Sequence, residues 1–230
     1  MEKLIIGSRG SKLALKYAEI AKKAFFKELD IEIEIKKITT EGDLVLDRRT
    51  SEIGGKGEFI KNIEKELLSK NIDVAVHSLK DVPSVKTKGL NIECFLKRND
   101  PQEVLINKEN LTLDKIKKNS VIGTSSLRRE FQLKYLRPDL KFKLIRGNID
   151  TRIKKLDEDQ YDSIILAKAG LSSLSMENRI SEVFECKKLV PPAGQGIIVI
   201  QSRENDDKLN SILSKINHFE TSIEAKVERK

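Results

Sequence analysis

Leu4-Ile5-Ile6-Gly7-Ser8-Arg9-Gly10-Ser11 reads as a buried strand, Lys3 to Gly7, that ends in Gly-Ser and opens a helix. Ser120-Val121-Ile122-Gly123-Thr124-Ser125 repeats the device 116 residues later (123 − 7). After the first copy, Leu15, Ala18, Ala21, Phe25 and Leu29 recur at helical spacing behind Ser11 as N-cap, which predicts a helix over Ser11 to Leu29. After the second, Ser126 to Leu136 reads as a helix stopped by Pro138. Each helix is followed by a strand: Ile31, Ile33 and Ile35 alternate with charges, and Lys141 to Ile145 matches them in order. Next come helices over Glu58 to Ser69 and Ile149 to Leu156, then buried strands at Asp73 to Val76 and Ser163 to Ala167. The order of elements predicts two similar α/β lobes.

Two further strands read as crossings between the lobes. Asn91 to Lys97 leads out before Asn99-Asp100-Pro101, and Ile197 to Gln201 leads back after Pro191-Pro192-Ala193-Gly194-Gln195-Gly196. The expected domains are therefore 1–98 plus 197–217 for the first lobe, 99–196 for the second, and a C-terminal helix over 218–230. A cleft between lobes joined by two strands is a natural hinge and ligand site. Thr39 to Gly57, with four glycines and little periodicity, reads as a loop.

Composition narrows the function. Charged residues make up 35% and apolar ones 38% of the 230, as in a globular protein. No apolar run approaches the roughly 20 residues of a membrane span, so no membrane is expected and the cytoplasm is the expected location. A net charge of +8 and a pI near 9.3 imply attraction to anions. Nucleic acid is disfavoured: there is no tryptophan, aromatic residues are only 5%, and no zinc-finger or RNA-binding signature is seen. A small polyanion fits better. Cys94 and Cys186 are isolated, so neither a metal site nor a disulfide framework is suggested.

The cationic loops supply the grips for such a ligand. Ser8-Arg9-Gly10-Ser11, Gly123-Thr124-Ser125-Ser126-Leu127-Arg128-Arg129 and Arg146-Gly147-Asn148 combine helix N-termini with guanidinium groups, which pair with carboxylates through charge-assisted hydrogen bonds. Ordinary helix capping is the better account of Gly7-Ser8 or Gly123-Thr124 alone. Arg128-Arg129 adds to the case, since arginine in a first helical turn opposes the dipole. Arg152 reads either as a grip or as a surface ion pair. Gly54-Gly55-Lys56-Gly57 lacks the full phosphate-loop pattern and reads as a lid carrying one cation. His77 reads as a packing residue at a strand end. In His77-Ser78-Leu79-Lys80-Asp81-Val82-Pro83, Asp81 is by local pattern the cap of a turn, and among so many cations it is also the candidate chemical group.

Together these segments, with Thr151-Arg152 and Gly194-Gln195-Gly196, resemble the porphobilinogen deaminase (hydroxymethylbilane synthase) family across nearly the whole chain, in order. The resemblance implies an α/β fold of two similar lobes, like those of periplasmic binding proteins, joined by two hinge strands and followed by a helical C-terminus. It implies a transferase that deaminates porphobilinogen and builds the linear tetrapyrrole hydroxymethylbilane, with Asp81 as the catalytic carboxylate. Arg9, Ser11, Lys56, Ser78, Lys80, Thr124, Ser126, Arg128, Arg129, Arg146, Asn148, Arg152 and Gln195 match positions that hold the carboxylate arms of substrate and cofactor.

The resemblance also implies a dipyrromethane cofactor, held in the family by a thioether to a cysteine in a third, C-terminal domain. The sequence stops at Glu228-Arg229-Lys230, short of the Gly-Gly-Cys segment. The expectation is therefore no attachment cysteine and no third domain in this chain, with a separate polypeptide as a possible supplier. Ser173 stands where the family has another cleft arginine. The implied partners are porphobilinogen and oligopyrrole intermediates. A non-catalytic two-lobed binder of pyrrole-carboxylates is the alternative.

Overall fold

The structure, a computed structural model, describes residues 3–40, 57 and 60–230. In chain order its strands are β1 (Lys3–Arg9), β2 (Glu32–Ile38), β3 (Val74–Ser78), β4 (Leu90–Phe95), β5 (Glu103–Ile106), β6 (Val121–Gly123), β7 (Lys141–Lys143), β8 (Ser163–Ala167), β9 (Glu182–Val183) and β10 (Ile198–Arg203). The α-helices are α1 (Lys12–Phe25), α2 (Lys61–Leu68), α3 (Leu127–Leu136), α4 (Ile149–Asp157), α5 (Lys168–Ser173), α6 (Asp207–Ile216) and α7 (Phe219–Glu228). Among the described residues, 3–40, 57, 60–99 and 192–230 form one compact unit and 100–191 a second.

Each unit holds one five-stranded sheet. In unit 1 the order is β2-β1-β3-β10-β4, and in unit 2 it is β7-β6-β8-β5-β9. The first three positions are parallel in both, and the fourth strand runs antiparallel to its neighbours. Apolar runs are continuous in the central strands because both faces are covered. On β10, Ile198 and Ile200 pack with Ala18, Leu209 and Leu213, while Val199, with Ile197 just before the strand, packs with Leu79, Phe95 and Ala225. In unit 2, Val104 and Leu166 pack with Ile153 and Leu156 of α4, while Leu105 and Ile165 pack with Leu133, Phe184 and Leu189. Complete burial of each such side chain is worth about 1.5–3 kcal/mol relative to exposure.

The repeat extends to individual bonds. Ile5 N–H donates to Asp73 Oδ2 at 2.8 Å while Asp73 N–H returns to Ile5 O at 2.9 Å. Val121 N–H donates to Asp162 Oδ2 at 2.6 Å while Asp162 N–H returns to Val121 O at 3.0 Å. The same two-way clasp joins the first and third strands of both sheets. At the ends of the first strands, a Cβ on Gly7 would run into Ile72, and one on Gly123 would come within 2.8 Å of Tyr161. Both intruding side chains stand two residues before the third strand. Only glycine permits that approach.

The sequence reading differs from the structure in extent and in omissions, the two-residue β9 among them. The first helix ends at Phe25, with Leu29 in the turn that follows it. The strand expected through Lys97 ends at Phe95, and β7 ends at Lys143. β5 and α5 were not anticipated, because four residues opened by Glu103 lack a readable period and α5 has only six residues, beginning at the strand end. Most of the loop expected over Thr39 to Gly57 lies outside the described residues, and Lys56 with it. Among the described residues, no helix is long and apolar enough to cross a membrane.

Candidate active site

Chemistry-bearing residues of unit 1 collect at the carboxyl ends of β1 and β3, where open α/β sheets place their ligands. Ser11 N-caps α1, its side chain accepting from Ala14 N–H at 3.3 Å. The buried Ser8 hydroxyl donates to Ala14 O at 3.1 Å, tying the strand end to the helix start. β3 runs into a single 3-10 turn, Leu79–Asp81. A cavity of about 60 Å³ is lined by Arg9, Ser11, Tyr17, His77, Ser78 and Asp81, among others. Four of the residues singled out from sequence, Arg9, Ser11, Ser78 and Asp81, thus share one concavity. Those four bring together one carboxylate, one guanidinium and two serine hydroxyls.

His77 also lines that cavity. Its Nε2 lies 3.0 Å from Gln201 Oε1, and Gln201 Nε2 donates to Glu64 Oε1 at 2.7 Å, so the imidazole carries its proton on Nε2. Burial pushes its pKa down to about 4, despite the raising effect of the Gln201 hydrogen bond. It is neutral near pH 7. Lys80 Nζ donates to Gln195 Oε1 at 3.2 Å, which brings two further predicted site residues together. Gln195 is fully buried beside the Gly194-Gln195-Gly196 backbone.

In unit 2, Thr124 is buried and its Oγ1 accepts from Ser126 N–H at 3.2 Å. Ser126 then N-caps α3 by accepting from Arg129 N–H. The two arginines that follow converge on Glu103, a carboxylate with no exposure at all. Arg129 Nε and Nη2 donate to its two oxygens at 3.1 and 2.7 Å, and Nη1 donates to Ile165 O at 2.9 Å. Arg128 also pairs with Glu103 and with Val190 O. The side chain of Arg128 keeps 27% exposure against 9% for Arg129, so Arg128 is the one a ligand can reach. Arg146 is buried and its carbonyl accepts from Lys155 at 3.2 Å. Asn148 holds the N-cap position of α4 without a side-chain cap bond, and Arg152 Nε donates to Gly147 O at 2.8 Å. Ser173 turns its hydroxyl onto Ala169 O of its own helix at 2.8 Å.

Residues 4–211 match the profile of the porphobilinogen deaminase dipyromethane cofactor binding domain. The porphobilinogen deaminases of Oceanobacillus iheyensis and Bacillus thuringiensis are each 46% identical over 234 and 231 residues, covering 100% of this chain and 75% of those relatives. The chain belongs to the porphobilinogen deaminase family. Similar solved structures give the fold. A putative methionine-binding lipoprotein of Bacillus subtilis matches at TM-score 0.55 and 13% identity, over 96% of this chain and 92% of its own. An arginine-specific periplasmic binding protein of Salmonella typhimurium matches at TM-score 0.53 and 13% identity, over the full length of both. The two-lobed α/β architecture expected from the sequence is the one observed.

The donors of a porphobilinogen deaminase must suit a ligand with acidic arms and pyrrole N–H groups, as dipyrromethane and porphobilinogen have. Arg9 beside Asp81 in the unit 1 cavity, and the half-buried Arg128 in unit 2, provide opposite charges for both kinds of group. The residues present fit. Of the two cysteines, Cys94 is buried with its thiol pushed up to about 12 by burial, and Cys186 is exposed on unit 2.

Sequence reasoning passed over Glu103, Gln201, Glu64 and Arg98. Glu103 had one available signal, since a carboxylate opening the apolar run Val104-Leu105-Ile106 is sustainable only beside cations. Arg98 bridges Gln195 O at 3.1 Å and Glu228 at 2.6 Å, and Glu228 accepts from Gly194 N–H at 2.8 Å.

Proposed function

We propose that this chain deaminates porphobilinogen and joins the units into hydroxymethylbilane, releasing ammonia at each addition. The observation that carries the reading is Asp81, set on a short turn at a strand end and lining the same cavity as Arg9, Ser11 and Ser78. Asp81 lies against the pyrrole ring and stabilises the positive charge that develops as ammonia departs with the C–N electron pair. It also assists proton movement on the ring. Arg9, Lys80, Arg128, Arg146 and Arg152 hold acetate and propionate arms, with Ser11, Ser78, Thr124, Ser126, Asn148 and Gln195 adding neutral hydrogen bonds. Arg129 works with them through Glu103, fixing the position of Arg128. Lys56 adds a further cation.

Dipyrromethane, when bound, supplies the free α-carbon from which the pyrrole chain grows. The same carboxylate-binding residues would hold its acidic arms. We infer that neither cysteine of this sequence anchors it, so the anchoring thiol comes from outside residues 1–230, as on a separate polypeptide. The deciding experiment is porphobilinogen turnover by the purified 230-residue chain, following substrate loss and tetrapyrrole formation. Turnover supports the reading. Substrate bound without turnover would instead favour a binding role, or a need for the separately supplied cysteine-bearing domain.

A further inference from the structure

We propose that Arg229, just past the last turn of α7, is a positioning residue for Asp81. This rests on the deaminase reading and assigns to it a residue outside the carboxylate-binding set. The Leu79–Asp81 turn is too short to hold itself: its own closing bond is Val82 N–H to Leu79 O at 3.1 Å. Its other supports come from far along the chain. Leu79 N–H donates to Ile197 O at 2.9 Å. Arg229 Nη1 donates to Leu79 O at 3.1 Å and Nη2 to Pro83 O at 2.5 Å. One planar guanidinium therefore grips the carbonyls on both sides of Lys80-Asp81-Val82, and the two grips fix the span between them. A lysine, with a single ammonium, holds a point rather than a span.

The neighbouring residue makes the support specific to the site. Glu228 accepts from Gly194 N–H and pairs with Arg98, which in turn holds Gln195 O, while Gln195 Oε1 receives Lys80. Lys80 and Asp81 are thus both fixed through one helix end, Lys80 by side chain and Asp81 by backbone. Simple docking of α7 has its own source in Ala225, which packs with Leu79 and Val82, and needs no arginine aimed at carbonyls of the turn.

The test compares the wild-type chain with Arg229→Gln and Arg229→Lys by porphobilinogen kinetics and by amide hydrogen exchange over residues 77–86. For Arg229→Gln we expect kcat to fall about 10-fold to 10²-fold, the scale for a misplaced reactive group. KM should stay within about twofold, because a transition-state contact is lost rather than uniform binding. Exchange at residues 80–82 should quicken while exchange across 163–167 in unit 2 stays unchanged, and Arg229→Lys should fall between. Unchanged exchange at 80–82 would overturn the proposal, as would faster exchange with kcat intact or a uniform rise over the whole chain. If the wild-type chain itself fails to turn over porphobilinogen, it binds only or needs the cysteine-bearing domain, and exchange at 80–82 alone decides the brace.

Discussion

In unit 1 the third parallel strand runs into the 3-10 turn that carries Lys80 and Asp81. In unit 2 the same strand position runs into α5, whose Lys168 is tied to Asp100 at 2.6 Å. The scaffolds agree down to the Asp73 and Asp162 clasps, yet their buried polar groups differ. Unit 1 buries a neutral imidazole, His77, and its partner Gln201, which leads on to the half-buried Glu64, behind a partly exposed carboxylate. Unit 2 buries a full negative charge, Glu103, behind two arginines. One interior leaves its acid available at the strand end, and the other uses its acid to aim cations. The same strand order thus presents a carboxylate at the strand end in one copy and arginines at the helix start in the other.

The sharpest way to break this contrast is at Asp81. Asp81→Asn should cut turnover by roughly 10³-fold, the scale for loss of an electrostatic partner of the transition state. Porphobilinogen binding by calorimetry should be largely retained, and an equal loss of binding would place Asp81 with the ligand grips instead. In unit 2, Arg129→Met removes one of the two arginines that hold the buried Glu103 carboxylate and should cost about 3–5 kcal/mol in urea unfolding. Glu103→Gln in the same background should restore most of it, and a failure to do so would mean the pair is not coupled.

Both histidines of the sequence belong to unit 1, so pH separates the units as well. His77 has a folded pKa of about 4 against an ordinary value of 6.5, so the unfolded chain binds more protons between those values. Stability is therefore complete above about pH 6.5 and should fall by on the order of 3 kcal/mol as pH drops to about 4. His77→Gln should flatten that part of the profile, measured by urea midpoints across the range. The smallest effect is the one in which the units should agree. Gly7→Ala and Gly123→Ala each overpack the approach of first strand to third and should each destabilise by about 1–3 kcal/mol. A large difference between them would show that the repeat is looser than its bonds suggest.

Much of this plan was legible because strand ends in Gly-Ser or Gly-Thr, followed by helical spacing, are local signals. Ser11 and Ser126 cap the helices they were expected to open. What sequence could not show was pairing at a distance. Arg128-Arg129 suggested a ligand because arginine opposes the helix dipole there, and the structure supplies Glu103, 25 residues upstream, as the partner that offsets the cost. By its neighbours alone Asp81 was better read as a turn cap. Its candidacy came from the family pattern, and the structure adds its company of Arg9, Ser11 and Ser78. The supports of its turn, Ile197 and Arg229, lie more than 100 residues away.

The position of β10 between β3 and β4 has a consequence for how the chain is made. Unit 2 is drawn from one uninterrupted stretch, 100–191, among the described residues, whereas the sheet of unit 1 lacks its fourth member until Ile198–Arg203 has been synthesised. A ribosome delivering the protein from its N-terminus thus releases a complete unit 2 before unit 1 can close. The loop-closure entropy of bridging β3 to β10 is carried late; meanwhile β3 presents an unpaired edge and β4 has no strand partner. The growing chain has the half bearing Arg128 and Arg129 ready first, and the turn bearing Asp81 gains its distant backbone supports only once Ile197 and Arg229 have been made.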